Sequence, residues 1–178
     1  ALETRQQILV FTDKSLHAMQ YLGPPFTFGI SMISENITIA SPLAAVAVDD
    51  MVMWMGEEEF YLYTGQVQKL PCSVRAYVFN DFNQSQSEKV TAAINSSYSE
   101  VWWYYPSSGS DNIDKYVVYN YQEQVWYYGN LSRTAWIDRG IQDFPIAASL
   151  DGYLYYHEFG QDDGSVNPPA AISSYIES

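Results

Sequence analysis

The chain has 178 residues, enough for one domain or for part of a larger one. Its net charge of −13, from 21 acidic against 8 basic residues, excludes a static grip on nucleic acid, which needs lysine and arginine to displace counterions. A single cysteine, Cys72, excludes an internal disulfide framework and a cysteine-based zinc site, and no apolar run approaches the ~18 residues of a membrane span.

The apolar fraction of 47% is sufficient for a core, and the 16 Tyr, 8 Phe and 5 Trp suit a sheet protein whose strand faces meet partners. In chain order, residues 7–12 predict a strand and residues 16–21 its return, across the turn Asp13-Lys14-Ser15. Gly23-Pro24-Pro25 breaks the run, because neither proline donates to a ladder. Residues 26–39 predict a connection and a short strand. A second meander follows: 43–48, the turn Asp49-Asp50, 51–55, the acidic turn Gly56-Glu57-Glu58, 60–63, and 67–70 after Gly65. A helical insertion is expected over about 73–96. It comprises a short helix in 73–82 and a stronger one over 84–95, where Ser85 and Glu88 have the spacing of a capping box.

Residues 100–129 give the clearest pattern. The arms 101–105 and 116–121 are β-branched and aromatic, and they flank the turn residues Pro106 to Asn112. A third arm, 125–128, is stopped by Gly129. Residues 134–138, 146–149 and 153–157 predict short strands, the last after the turn Asp151-Gly152, and 161–169 a polar exit loop. Hairpins at 7–21, 51–63, 101–128 and 147–157 make an uneven repeat of roughly 40–50 residues, the range of propeller blades. The expected fold is mainly β: a β-propeller or partial propeller of antiparallel meanders, with a β-sandwich as the alternative. Residues 1–178 form one β-rich domain, and its ends read as those of a fragment of a longer chain.

Chemistry-bearing patterns are sparse. His17 and His157 lack metal-ligand spacing, so a hydrogen-bonded structural role is expected for each. No serine sits in a nucleophile elbow. The carboxylates Asp49-Asp50, Glu57-Glu58-Glu59, Asp111 with Asp114, and Asp162-Asp163 all fall at turns. A glycosidase pair needs two carboxyls facing across a cleft, and Asp162-Asp163-Gly164 lacks the alternating ligands of a calcium loop. Four glycosylation sequons, beginning at Asn36, Asn83, Asn95 and Asn130, read as chance matches in an Asn- and Ser-rich chain. No cofactor or metal is expected. Trp102, Trp103, Tyr104, Trp126 and Trp136 are the expected core or interface anchors.

Several segments together resemble structural proteins of tailed bacteriophages. These are Val10-Phe11-Thr12-Asp13 with Met19-Gln20-Tyr21, Gly23-Pro24-Pro25-Phe26-Thr27-Phe28-Gly29, Trp54-Met55-Gly56 with Phe60-Tyr61, and Leu70-Pro71-Cys72. The resemblance continues through Tyr104-Tyr105-Pro106-Ser107-Ser108, Tyr119-Asn120-Tyr121, Trp126-Tyr127-Tyr128-Gly129, Arg133-Thr134-Ala135-Trp136 and His157-Glu158-Phe159-Gly160. The family is the tail hub and nozzle group of short-tailed phages, also labelled packaged-DNA stabilisation or tail tubular proteins. The resemblance implies a propeller-rich, non-enzymatic virion subunit. It would form a homo-oligomeric ring beneath the portal with other tail proteins, extend the DNA conduit, let DNA pass without specific binding, and help retain the genome. A carbohydrate-binding propeller module and a glycoside hydrolase or lyase are the alternatives.

Overall fold

The computed structural model describes residues 1–163 and 167–171, and the protein is mainly β. Four antiparallel meanders follow one another along the chain. The first sheet holds β1 (Leu2–Glu3), β2 (Ile8–Phe11), β3 (Ser15–Tyr21) and β4 (Phe28–Glu35). The second holds β5 (Ala45–Val48), β6 (Met51–Met55), β7 (Phe60–Tyr63) and β8 (Val67–Lys69). The third holds β9 (Thr91–Asn95), β10 (Glu100–Tyr105), β11 (Lys115–Asn120) and β12 (Val125–Asn130). The fourth is three-stranded, with β13 (Ala135–Ile137), β14 (Ile146–Ala148) and β15 (Leu154–Tyr156). A short pair, β16 (Asp162–Asp163) and β17 (Ala170–Ala171), follows it. Within each sheet the strands lie in chain order, so every connection joins neighbours.

Alternation along each strand dictates how the sheets stack, because successive side chains point to opposite faces. On the second sheet, Val52, Trp54 and Tyr61 turn toward Leu9, Leu16 and Ala18 of the first. Met53, Met55 and Phe60 turn the other way, toward Val101, Trp103, Val117 and Tyr119 of the third. The opposite face of the third sheet, with Ala93 and Tyr104, meets Trp136 of the fourth. A two-sheet sandwich leaves one face of each sheet to solvent. Here the second and third sheets are covered on both faces.

The first strands of successive sheets lie beside one another: β1 against β5, β5 against β9, and β9 against β13. Ala92 N–H donates to the Leu43 carbonyl at 2.8 Å, which puts the starts of β5 and β9 at the same end. The first strands β5 and β9 are built largely from small residues, including Ala45, Ala47, Ala92 and Ala93, whereas the bulky Trp54, Phe60, Trp103 and Tyr104 stand on second and third strands; the fourth sheet departs from this, with Trp136 on its first strand, β13. Between the second and third sheets, side-chain volume therefore increases away from the first strands.

The helical insertion is shorter than the expected 73–96. An α-helix, α1 (Arg75–Asp81), is present, but the capping-box helix over 84–95 is not. Residues Gln84–Lys89 form a 3-10 turn capped by Asn83, whose side chain accepts from Ser85 N–H, and Thr91–Asn95 is strand β9. The alternating burial of Thr91, Ala93 and Asn95 in the stack outweighs the helix propensity of the alanines. Residues 26–39, expected to hold a connection and a short strand, contain β4, at eight residues the longest strand among the described residues. Residues 164–166 of the expected exit loop, with Gly164 of the acidic turn, and residues 175–178 of the chain end lie outside the described residues. Among the described residues, no helix is long and apolar enough to cross a membrane.

Candidate functional site

The site with the most specific geometry is the set of contacts between sheets. A buried tryptophan brings one donor that must find an acceptor, so the five indoles report how the sheets are tied. Trp103 donates to the Ala44 carbonyl at 3.0 Å, and Trp136 to the Ile94 carbonyl at 2.8 Å. Each of these bonds runs from one sheet to the first strand of the preceding sheet or the residue just before it. Trp126 donates to Pro71 at 2.8 Å, and Trp54 to Thr38 at 3.0 Å. Rings fill the space between these bonds: Phe11 meets Trp54 at 5.2 Å, Phe60 meets Trp103 at 4.9 Å, and Trp102 stacks on Trp136 at 6.0 Å.

The five expected anchors therefore divide between two interfaces. Trp103 and Trp126 face the second sheet, while Trp102 and Tyr104 face the fourth, where Trp136 meets them. Trp103 and Tyr104 are fully buried, and the other three are partly buried.

The fifth indole, Trp102, leads to a polar cluster between the third and fourth sheets. It donates to Glu100 Oε2 at 2.8 Å. The Tyr127 hydroxyl donates to Glu100 Oε1, and Asn95 Nδ2 lies 3.4 Å from Oε2. Glu100 is only 8% exposed and is held by neutral donors alone, so it works as a pin that orders Trp102 and Tyr127. Asn95 Nδ2 also donates to Glu158 at 3.3 Å. Burial, then the charge of Glu100, pushes the Glu158 carboxyl above its ordinary value. This carboxylate pair was not legible in the sequence, because 57 intervening residues give no spacing signal. Their common amide donor, Asn95, is fully buried at the end of β9.

Nearby, Arg133 Nε donates to His157 Nε2 at 2.8 Å, and its guanidinium lies over the Tyr155 ring at 4.5 Å. Burial, with the Arg133 charge, lowers the His157 pKa to about 4, so the imidazole is neutral and accepts. His17 bonds the Ser15 hydroxyl at 2.9 Å in the first sheet, so the two histidines do not converge. Among the described residues, no three His, Cys, Asp or Glu side chains gather as a metal site.

The turn acids go to separate partners. Arg5 reaches Asp49 at 3.3 Å and Asp50 at 3.8 Å. Glu59 binds Arg75 at 2.8 Å and Lys69 at 3.0 Å, and Asp114 accepts from Ser107 N–H at 2.8 Å. Burial pushes the Cys72 thiol up to about 11, so it stays protonated and unreactive near neutrality.

The sequence reading missed a set of exposed apolar side chains: Tyr21, Phe28, Ile30 and Met32 on the first sheet, and Ile137, Leu154 and Tyr156 on the fourth. One signal for the first group was available. No Asp, Glu, Lys or Arg occurs between Lys14 and Glu35, in a chain where 16% of residues are charged. No protein-family model and no curated protein sequence matches this chain.

Proposed function

We propose that the chain is a run of β-propeller blades that acts as a non-enzymatic structural subunit of a tailed-phage virion. It takes its place in the tail hub beneath the portal as part of a homo-oligomeric ring, where it lines the DNA conduit and helps retain the packaged genome. The observation that carries this reading is the stacking of successive meanders with their first strands side by side. Successive antiparallel meanders whose first strands lie side by side, with small residues on those of the second and third sheets, suit radial repetition around an axis. The net charge of −13 suits a wall past which DNA slides without sticking. Two of the anchors, Trp103 and Trp136, support a structural role, since their indole N–H groups are taken up by backbone carbonyls at the preceding sheet rather than turned toward a substrate. Glu100 likewise has both carboxylate oxygens engaged beneath Trp102 and Tyr127, which disfavours the hydrolase alternative.

Light-scattering mass and negative-stain imaging of the chain test the proposal. A ring with a central channel is expected, and reversing acids on the channel wall should slow genome ejection. A compact monomer that fails to join the virion would sink it. One observation favours the carbohydrate-binding alternative: Tyr77 and Tyr128, each partly exposed, stack at 3.9 Å on the rim and offer an aromatic edge. Saturable quenching of tryptophan fluorescence by a glycan would favour that reading.

A further inference from the structure

The stack ends in two apolar sheet faces that no described residue covers. On the first sheet, the registers Met19↔Ile30, His17↔Met32 and Tyr21↔Phe28 put Met19, Tyr21, Phe28, Ile30 and Met32 on the face turned away from the second sheet. On the fourth sheet, Ile137↔Ile146, Ile146↔Tyr156 and Ala148↔Leu154 put Ile137, Ile146, Leu154 and Tyr156 on the face turned away from the third. Tyr21, Phe28, Ile30, Met32, Ile137, Leu154 and Tyr156 are each more than half exposed. Contiguous apolar faces of this kind mark contact surfaces in soluble proteins.

We propose that the two faces form one interface between copies: the fourth sheet of one chain packs on the first sheet of the next, so the stack continues head to tail. This inference rests on the ring reading above and names its contact surfaces. Three observations select a second copy as the occupant. First, the interfaces inside the chain all have one polarity, in which the later face of one sheet meets the earlier face of the next. An unused earlier face on the first sheet and an unused later face on the fourth are the two halves of the same contact. Pairing two first sheets symmetrically would leave both fourth sheets uncovered.

Second, the centres of both faces are uncharged, with acids such as Asp138 and Glu35 confined to strand ends and turns. Desolvation of a charge therefore does not oppose contact. Third, the area approaches what an interface needs. The four most exposed side chains of the first sheet's free face offer on the order of 500 Å², against the about 800 Å² per partner of a standard interface. Flanking turn residues Leu22 and Phe26, both exposed, enlarge it. Because the contact is heterologous it closes a ring or grows a filament. Two copies would bring eight such sheets to one axis, within the about four to eight blades of propellers.

The test compares the full-length wild-type chain with Ile30→Asp and Leu154→Asp by light-scattering mass over a concentration series. Both positions are exposed, and circular dichroism with thermal midpoints verifies that the variants fold. Wild type is expected at two copies or a larger multiple, and each variant should weaken assembly by roughly 30-fold or more. An equimolar mixture of the variants should form a species of two chains. The Ile30→Asp chain keeps a good fourth sheet and the Leu154→Asp chain a good first sheet.

A wild-type monomer at every concentration would overturn the inference. So would a Leu154→Asp chain that assembles normally while Ile30→Asp does not, because that is the symmetric pairing. A monomer imaged as a closed propeller would refute head-to-tail contact and leave the propeller reading standing. Head-to-tail assembly without a central axis would do the reverse.

Discussion

The space between the second and third sheets and the free face of the first sheet are both apolar, yet they are built differently. Between the sheets, Phe60, Trp103 and Trp126 pack ring to ring, and two indole N–H groups reach backbone carbonyls outside their own sheet, at Ala44 and Pro71. On the free face, Phe28, Ile30 and Met32 have no polar atom in their side chains, and Tyr21 and Phe28 contact each other edge to face at 5.8 Å. Aromatic content alone does not separate the two regions. A directional bond across the gap does. The interior fixes one register during folding, whereas the free face has area without register, which suits a contact made after folding.

Breaking the interior should have the largest effect. Trp103→Ala removes a fully buried ring and one of the two donors to the Ala44 carbonyl, which keeps Met55 N–H at 3.2 Å, and a loss of about 3–5 kcal/mol is expected in urea unfolding. Trp103→Phe should cost clearly less, because it keeps most of the ring area and gives up the cross-sheet bond. Equal losses for the two variants would mean that the bond, rather than the volume, holds the interface.

The Glu100 pin comes next. Glu100→Ala leaves the Trp102 and Tyr127 donors without their acceptor and should cost about 1–3 kcal/mol. Combined with Tyr127→Phe, the loss should fall short of the sum of the two single effects, since both changes remove one bond. Strict additivity would show that the cluster is not a unit.

A smaller effect should appear as pH dependence. His157 has a folded pKa of about 4, below the ordinary 6.5, because burial and Arg133 oppose its charge. Between those values the unfolded chain binds the proton and the folded chain does not. Stability should therefore fall as pH drops from about 6.5 to about 4, and be unaffected by this group above that window. His157→Gln should flatten the slope of thermal midpoint against pH in that window. An unchanged slope would mean that other groups carry it.

These regions also differ in how far the sequence disclosed them. The arms of β10, β11 and β12 were legible because β-branched and aromatic runs flank Pro106 to Asn112, and local chemistry fixes both strand and turn. Period-two alternation also separates Trp102 from Trp103, but it cannot say which face is covered, which depends on the neighbouring sheet. Strand β9 was misread because Ala92 and Ala93 are good helix formers, and Ser85 with Glu88 mimics a cap. Its small residues are needed where first strands converge, and that demand is tertiary. The meeting of Glu100 with Glu158 depends on the fourth sheet folding back onto the third, and no local pattern encodes it.

The smallest effect on stability should come from the free face, and there a near-zero result is informative. Phe28→Ser and Ile30→Ser remove exposed side chains whose described contacts are cross-strand neighbours such as Tyr21, so each should change the unfolding free energy by no more than about 1 kcal/mol. The measurement belongs at protein concentrations low enough to exclude assembly, because association adds to apparent stability by mass action. A loss of the size expected for Trp103→Ala would show that these side chains are covered within the single chain, and that the first sheet has no free face. If stability holds at low concentration and the loss appears only as concentration rises, the same side chains are idle in the monomer and work only in the contact between copies.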